Sequence, residues 1–141
     1  MYSYWATTDS PTMEVLDQLG VAGVVHVVDD DPDFRRGLER LLRAHGLKVK
    51  AFGSAEEFVA QGACEEVGCL ILDIHLSGIS GIELRHRLAK DPGFKIPVVF
   101  VTAMDSQAVR AAAVDAGCIA FLQKPFPGKV LMDVVSRALA H

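Results

Sequence analysis

The sequence lacks most of what would send a chain to a membrane, a secretory route or a nucleic acid. Its 141 residues hold no apolar run as long as a membrane span, and the amino terminus has no charged-then-apolar signal pattern. There is no basic excess either: 14 Lys and Arg stand against 18 Asp and Glu, for a net charge of −4. The basic residues are scattered, so direct nucleic acid binding, which needs clustered cations to meet phosphates, is not indicated. Cysteine is scarce, and Cys64, Cys69 and Cys118 lie in or beside apolar segments. An odd number of such cysteines suits a reducing cytosol better than a disulfide framework. No His or Cys pair stands near Cys64 and Cys69 to complete a soft metal site, and both read as small buried hydrophobes. A cytoplasmic, membrane-free location is the expectation. Internal repeats and low-complexity segments are missing as well.

What is present is an ordinary globular balance, 50% hydrophobic and 23% charged. This length suits one domain with one core. Its organising feature is a set of apolar runs that each end on a polar residue. Cys69-Leu70-Ile71-Leu72 stops on Asp73, with Gly68 before and Gly78 and Gly81 after. That pattern reads as a buried strand delivering a carboxylate to the sheet's edge. Val24 to Val28 ends on Asp29, Asp30 and Asp31; Pro97 to Val101 ends on Thr102; Ala120 to Gln123 ends on Lys124. If these strands are parallel neighbours, acids, a hydroxyl and an ammonium gather in one crevice, where open α/β sheets bind ligands.

Between the strands the chain reads as helices. Asp31 can cap a helix opening at Pro32 and carrying Phe34, Leu38, Leu41 and Leu42, with Gly46 closing it. Lys48 to Phe52 reads as a strand, and Ser54 caps a helix with Phe58 and Val59. Further helices are expected from Gly81 to Lys90, from about Ser106 to Ala116, and after Lys124-Pro125-Phe126-Pro127 through Val130, Leu131, Val134, Val135 and Leu139. Five strands alternating with five helices imply a doubly wound parallel sheet. Residues 1–22 form an arm outside the domain at 23–141. In this arm residues 1 to 9 show no periodicity, and Ser10, Pro11, Met13, Leu16 and Leu19 suggest a short helix stopped by Gly20. Such a helix can pack on its own domain's edge or dock on a second copy; the first is favoured, because a short helix needs tertiary packing.

Asp29, Asp30 and Asp73 cannot share one site as bare anions, since like charges raise one another's pKa. Lys124 supplies one positive charge, and a divalent cation supplies the rest. Carboxylates without Cys or clustered His favour Mg²⁺ or Mn²⁺ over zinc. Mg²⁺ takes one or two protein carboxylates and accepts a phosphate oxygen, so the site suits a phosphoryl group.

Taken together, Asp29-Asp30, the run Leu72-Asp73-Ile74-His75-Leu76-Ser77-Gly78-Ile79-Ser80-Gly81, the pair Thr102-Ala103 and Lys124-Pro125-Phe126 resemble the receiver domain of bacterial two-component response regulators. The resemblance covers Val24 to Leu139. It implies a flavodoxin-like fold with five parallel strands in the order 2-1-3-4-5. It also implies that Asp73 accepts a phosphoryl group from a sensor histidine kinase or phosphotransfer protein, the chain assisting its own phosphorylation and dephosphorylation without being an enzyme. Asp30, Asp73 and the His75 backbone carbonyl would ligate the metal, and Asp29 would hold a metal-bound water. Lys124 would pair first with Asp73 and then with the phosphate. Thr102 and Ala103 would meet the phosphate, and Phe121 would be the aromatic that turns inward as the hydroxyl moves. A cis Lys124–Pro125 bond follows from the same likeness. The switched surface would engage a downstream output protein, an output domain outside this chain, or a second copy in a phosphorylation-dependent homodimer. The last helix closes the chain, which leaves a stand-alone receiver or the amino-terminal part of a longer regulator.

Several residues have plainer readings. Asp31 is an N-cap sooner than a ligand, and His26 is a packed core residue hydrogen-bonded to a neighbour. His75 and Met104 occupy positions that tune phosphate lifetime in the family, against the plain reading of a solvent-facing loop. Ser77 stands where the family usually has proline, which suggests a looser loop. Val109, Ala112, Ala113 and Ala116 are chiefly core; Arg110, Asp115 and Arg137 are candidates for a signalling face or simply solvated charges. A haloacid dehalogenase-type phosphohydrolase would need a general acid where His75 stands. A flavodoxin would need a phosphate loop where three aspartates would repel the phosphate. A receiver-like scaffold that takes no phosphate is disfavoured by the full set of side chains.

Overall fold

Both faces of the sheet are covered, which is why its inner strands are almost uninterruptedly apolar, whereas the edge strand at Lys48–Phe52 alternates. The computed structural model describes residues 3–4, 24–61 and 67–140. The elements in chain order are β1 (Ser3–Tyr4), β2 (Val24–Val28), α1 (Pro32–Ala44), β3 (Lys48–Phe52), α2 (Ala55–Gln61), β4 (Val67–Asp73), α3 (Gly81–Ala89), β5 (Val98–Thr102), α4 (Gln107–Ala116), β6 (Ala120–Gln123) and α5 (Gly128–Ala140). The sheet order is β1-β6-β5-β4-β2-β3. Strands β2 to β6 are parallel, so the five-stranded order 2-1-3-4-5 expected from the sequence is present. What the sequence did not suggest is the added edge strand: Ser3 lies opposite Phe121 and Tyr4 opposite Ala120, antiparallel. The helix expected from Ser10 to Gly20, and Cys64, lie outside the described residues.

The helix starts follow their caps. The Asp31 side chain accepts from the Asp33 and Phe34 amides, which makes it an N-cap. Ser54, Ser80 and Ser106 accept in the same way from Glu57, Glu83 and Val109. On one sheet face Val25, Val27, Ile71, Val99, Val101 and Leu122 meet Leu38 and Leu42 of α1 and Leu131, Val134, Val135 and Ala138 of α5. On the other face Val28, Leu70, Leu72, Phe100 and Phe121 meet Phe58, Leu84 and Ala113. Fully burying one such Leu or Phe contributes about 1.5–3 kcal/mol relative to leaving it in water.

Two details correct the sequence reading. His26 is buried, but instead of bonding a neighbour it leaves both ring nitrogens without a hydrogen-bond partner and packs at 5.3 Å from the Phe52 ring and 5.7 Å from Phe58. Burial first, then the charge of Lys50, lowers its pKa. Arg137, a candidate for an exposed face, is buried. It belongs to a run of six successive buried residues, Val134 to Leu139, whereas α1 on the same sheet face buries only Leu38 and Leu42.

Candidate functional site

The register of the parallel strands brings the polar ends together. Asp73 ends β4 beside β5, Asp29 follows β2, and Thr102 ends β5 opposite Gln123, the residue before Lys124. Asp29, Asp30 and Asp73 each offer a carboxylate oxygen within 4.8 Å of the others. Asp29 and Asp73 are buried and Asp30 is exposed, so the cluster has a closed floor and an open side. Lys124 reaches in from the β6 end. Its Nζ donates to Asp29 Oδ2 at 2.6 Å and to Asp73 Oδ2 at 3.3 Å. The pairing of Lys124 with Asp73 expected from the sequence is present, and a shorter contact with Asp29, the more buried carboxylate, accompanies it.

Each carboxylate is also oriented by backbone. The Asp29 Oδ1 accepts from the Asp31 amide at 2.9 Å, and Asp73 Oδ1 accepts from the His75 amide at 3.1 Å. Asp30 Oδ2 accepts from both the amide and the hydroxyl of Ser77, at 3.2 and 3.1 Å. Ser77 therefore ties its loop to an acid across 47 residues, contrary to the looser loop that the missing proline suggested. Gly78 adopts φ +80, where side chains are strained, and Ile79 donates to Glu56 from α2. Gly81 lies so close to the Asp73 carbonyl that a Cβ would collide with it.

Burial, and secondly the charge of Asp29, push the Asp73 carboxyl up to about 6, against the pull of Lys124 and the His75 amide. A buried carboxylate so raised is held at a cost that a nearby cation relieves. The donor set, three carboxylates open on one side, fits a hard divalent cation with waters and a phosphate oxygen completing its shell. Asp30, Asp73 and the His75 carbonyl are the residues that would hold it, with Asp29 behind.

Thr102 is buried, and its hydroxyl is closed on its own loop, accepting from the Met104 amide at 3.0 Å and donating to the Met104 carbonyl at 3.1 Å. Ala103 is exposed at the loop, as are the side chains of His75 and Met104. Phe121 is already fully buried, with the Arg110 guanidinium 5.5 Å from its ring centre. Arg110 is no loose solvated charge: it forms a two-point pair with Asp105 at 2.6 Å for each contact. The Lys124–Pro125 bond is cis, as the resemblance implied.

Two features escaped the sequence reading. Phe34 lies 3.9 Å under the Lys124 ammonium and packs edge-on against Phe126, and Arg35 donates to the Asp29 carbonyl at 2.7 Å. A Phe and an Arg one helical turn after an acidic strand end were the available signal, but Phe34 was read only as part of its helix.

The family model of the response regulator receiver domain matches residues 25–136. The chain belongs to this family. Among curated relatives, the transcriptional regulatory protein TdiR of Thauera aromatica is 38% identical over 121 residues, covering 86% of this chain and 53% of that protein. The transcriptional regulatory protein FixJ of Rhizobium meliloti is 33% identical over 117 residues, covering 83% and 57%. The receiver domain thus spans about half the length of the curated relatives it matches. Among solved structures, the response regulator StyR matches with a TM-score of 0.77 at 40% identity, over 84% of this chain and 60% of that one. A response regulator from Chloroflexus aurantiacus matches with a TM-score of 0.79 at 32% identity, over 85% and 99%. This is a receiver domain of two-component response regulators. No described helix is long and apolar enough to cross a membrane.

Proposed function

We propose that Asp73 is the phosphoacceptor of this receiver domain. The observation that carries this reading is a buried carboxylate sharing one ammonium with a second buried acid, beside a third acid open to solvent. The donor is a phosphohistidine on a sensor histidine kinase or phosphotransfer protein. An oxygen of Asp73 attacks phosphorus, the new O–P bond forms as the N–P bond breaks, and the imidazole leaves with the electron pair. A bound Mg²⁺ or Mn²⁺ supplies charge neutralisation on the phosphoryl oxygens. The protein's own residues do the rest by position and charge. The His75 amide fixes the Asp73 rotamer, and Lys124 lies 3.3 Å from Asp73 Oδ2, where it can follow negative charge onto the phosphoryl group.

The Thr102 hydroxyl, now bonded to Met104, is the group that can turn to a phosphoryl oxygen, and the Ala103 backbone has no bulk to obstruct it. Releasing the Met104 bonds loosens the loop that carries Asp105, and through Arg110 reaches the Phe121 ring. This chain of contacts is the route by which a local charge change reaches the β6 side of the domain. The protein works in the cytoplasm, acting on an output domain, a separate partner or a second copy. It is no enzyme on another substrate, although its own residues assist the gain and loss of the group.

Incubation with acetyl phosphate and Mg²⁺ tests the assignment. One alkali-labile phosphoryl group is expected by intact mass, and none on Asp73→Asn. Retention of the modification in that variant overturns the acceptor assignment.

A further inference from the structure

We propose that Phe34 is a positioning residue for Lys124: the face of its ring is one of two fixed contacts that hold the ammonium while its remaining N–H passes from Asp73 to an incoming phosphoryl oxygen. The inference rests on Asp73 as the phosphoacceptor and adds an uncharged side chain to the machinery. An ammonium carries three N–H donors. That of Lys124 has Asp29 Oδ2 at 2.6 Å, Asp73 Oδ2 at 3.3 Å and the centre of the Phe34 ring at 3.9 Å. The lysine side chain is only 13% exposed, so little room is left for water to complete the set. An aromatic face is partly negative and attracts a cation within about 6 Å of its centre, more strongly where water is excluded. The ring is therefore the third acceptor.

Two of the three contacts are held firmly. Asp29 is fully buried, and its other carboxylate oxygen accepts from the Asp31 amide at 2.9 Å. Phe34 lies in the first turn of α1, where the Asp31 cap accepts from its amide, and its ring meets the Phe126 ring at 5.8 Å and 84°. Phe126 follows Lys124 by two residues, so the segment that carries the ammonium also braces the ring beneath it. Both rings pack against the buried cluster under α1 and α5. An aliphatic side chain of similar size would fill this corner of the core, but it would leave the third N–H without an acceptor.

The contact with Asp73 is the longer of the two ion pairs, and it is the one that phosphorylation requires the lysine to give up. As an oxygen of Asp73 bonds to phosphorus and the donor's leaving group departs with its electron pair, negative charge passes from the carboxylate to the phosphoryl oxygens. No proton moves on Lys124. One N–H changes acceptor, turning about an axis set by Asp29 and the ring. Weakening the ring's negative face should slow this exchange and leave the acids that would hold the metal undisturbed.

The test places mono-, di- and trifluorophenylalanine at position 34, which keeps the ring's shape while each fluorine drains charge from its face. Phosphorylation with acetyl phosphate and Mg²⁺, followed by intact mass, should slow stepwise along the series, by roughly three- to tenfold at the last member. Mg²⁺ affinity without phosphodonor, measured by titration calorimetry, should stay at the value of the unsubstituted chain. A rate that is flat across the series overturns the proposal, and so does a Mg²⁺ affinity that falls in parallel with the rate. In the metal-free protein the Lys124 ε-methylene protons should resonate upfield of those of the other lysines and return to them in Phe34→Leu; an unshifted resonance in wild type removes the contact and overturns the proposal. Wild type and Asp73→Asn run alongside separate the two readings. A group gained by Asp73→Asn, or none gained by wild type, overturns the acceptor assignment and this inference with it. Wild type phosphorylated on Asp73 with a flat fluorine series overturns the role of Phe34 alone.

Discussion

Replacing Asp73 by Asn should stabilise the metal-free protein at neutral pH, and the gain should disappear in acid. The carboxyl is raised from 3.8 to about 6, chiefly by burial and then by the Asp29 charge. At about 1.4 kcal/mol per pKa unit, ionising Asp73 in the folded state costs on the order of 3 kcal/mol above pH 6. The sign follows from the unfolded chain, where the same group ionises near 4 without penalty. Below about pH 4 both states keep the proton and no cost exists; between 4 and 6 it grows; above 6 it is complete. Asn keeps the shape and can still accept from the His75 amide, and Lys124 retains Asp29 at 2.6 Å. The difference in unfolding free energy between variant and wild type should therefore open by about 3 kcal/mol from pH 4 to pH 8, or roughly 10 °C in Tm. Urea unfolding in EDTA at a series of pH values measures it. A difference that is flat across this range would refute the claim that Asp73 is held against its own ionisation.

Other outcomes follow from the same geometry. Mg²⁺ should raise the wild-type Tm by mass action, and Asp30→Ala should abolish most of that rise in a thermal scan with and without EDTA. Ser77→Ala removes one of two bonds to Asp30 and should weaken Mg²⁺ affinity measured by titration calorimetry. His26→Leu should stabilise the domain by roughly 1–2 kcal/mol by removing two buried unpaired nitrogens. Because burial lowers the His26 pKa, stability held above the ordinary 6.5 is lost as pH falls through it, and that slope should vanish in the variant. Arg110→Ala should free the loop carrying Asp105 and raise the phosphorylation rate with acetyl phosphate, read by mass against time, while leaving Asp73→Asn inert.

The part of the site that could be read from the letters is the part set by strand alternation. Apolar runs ending on Asp29, Asp73, Thr102 and Lys124 fix their polar residues at one rim once the strands are parallel, because period and direction alone determine it. The caps Asp31 and Ser54 were equally legible, since they act on amides two or three residues away. What was not legible depends on contacts between distant segments. Phe34 beneath Lys124 needs α1 to cross the β6 end, and Ser77 on Asp30 needs two loops to meet. The buried His26 without a partner was misread for a similar reason: two phenylalanine rings, from β3 and α2, surround it where a polar neighbour was expected. The arm's strand was invisible because two residues carry no period.

The close approach of Gly81 to the Asp73 carbonyl has a mechanical meaning. The Gly81 amide donates to the Ile74 carbonyl at 3.0 Å, and no methyl group can fit between the start of α3 and the end of β4. The seven-residue loop between them is thus a closed hoop pinched at its neck, and Asp73 sits at the pinch. Adding one carbon at position 81 would tilt the aspartate without touching any charged group, so chemistry could fail while every ionisable residue remained in place.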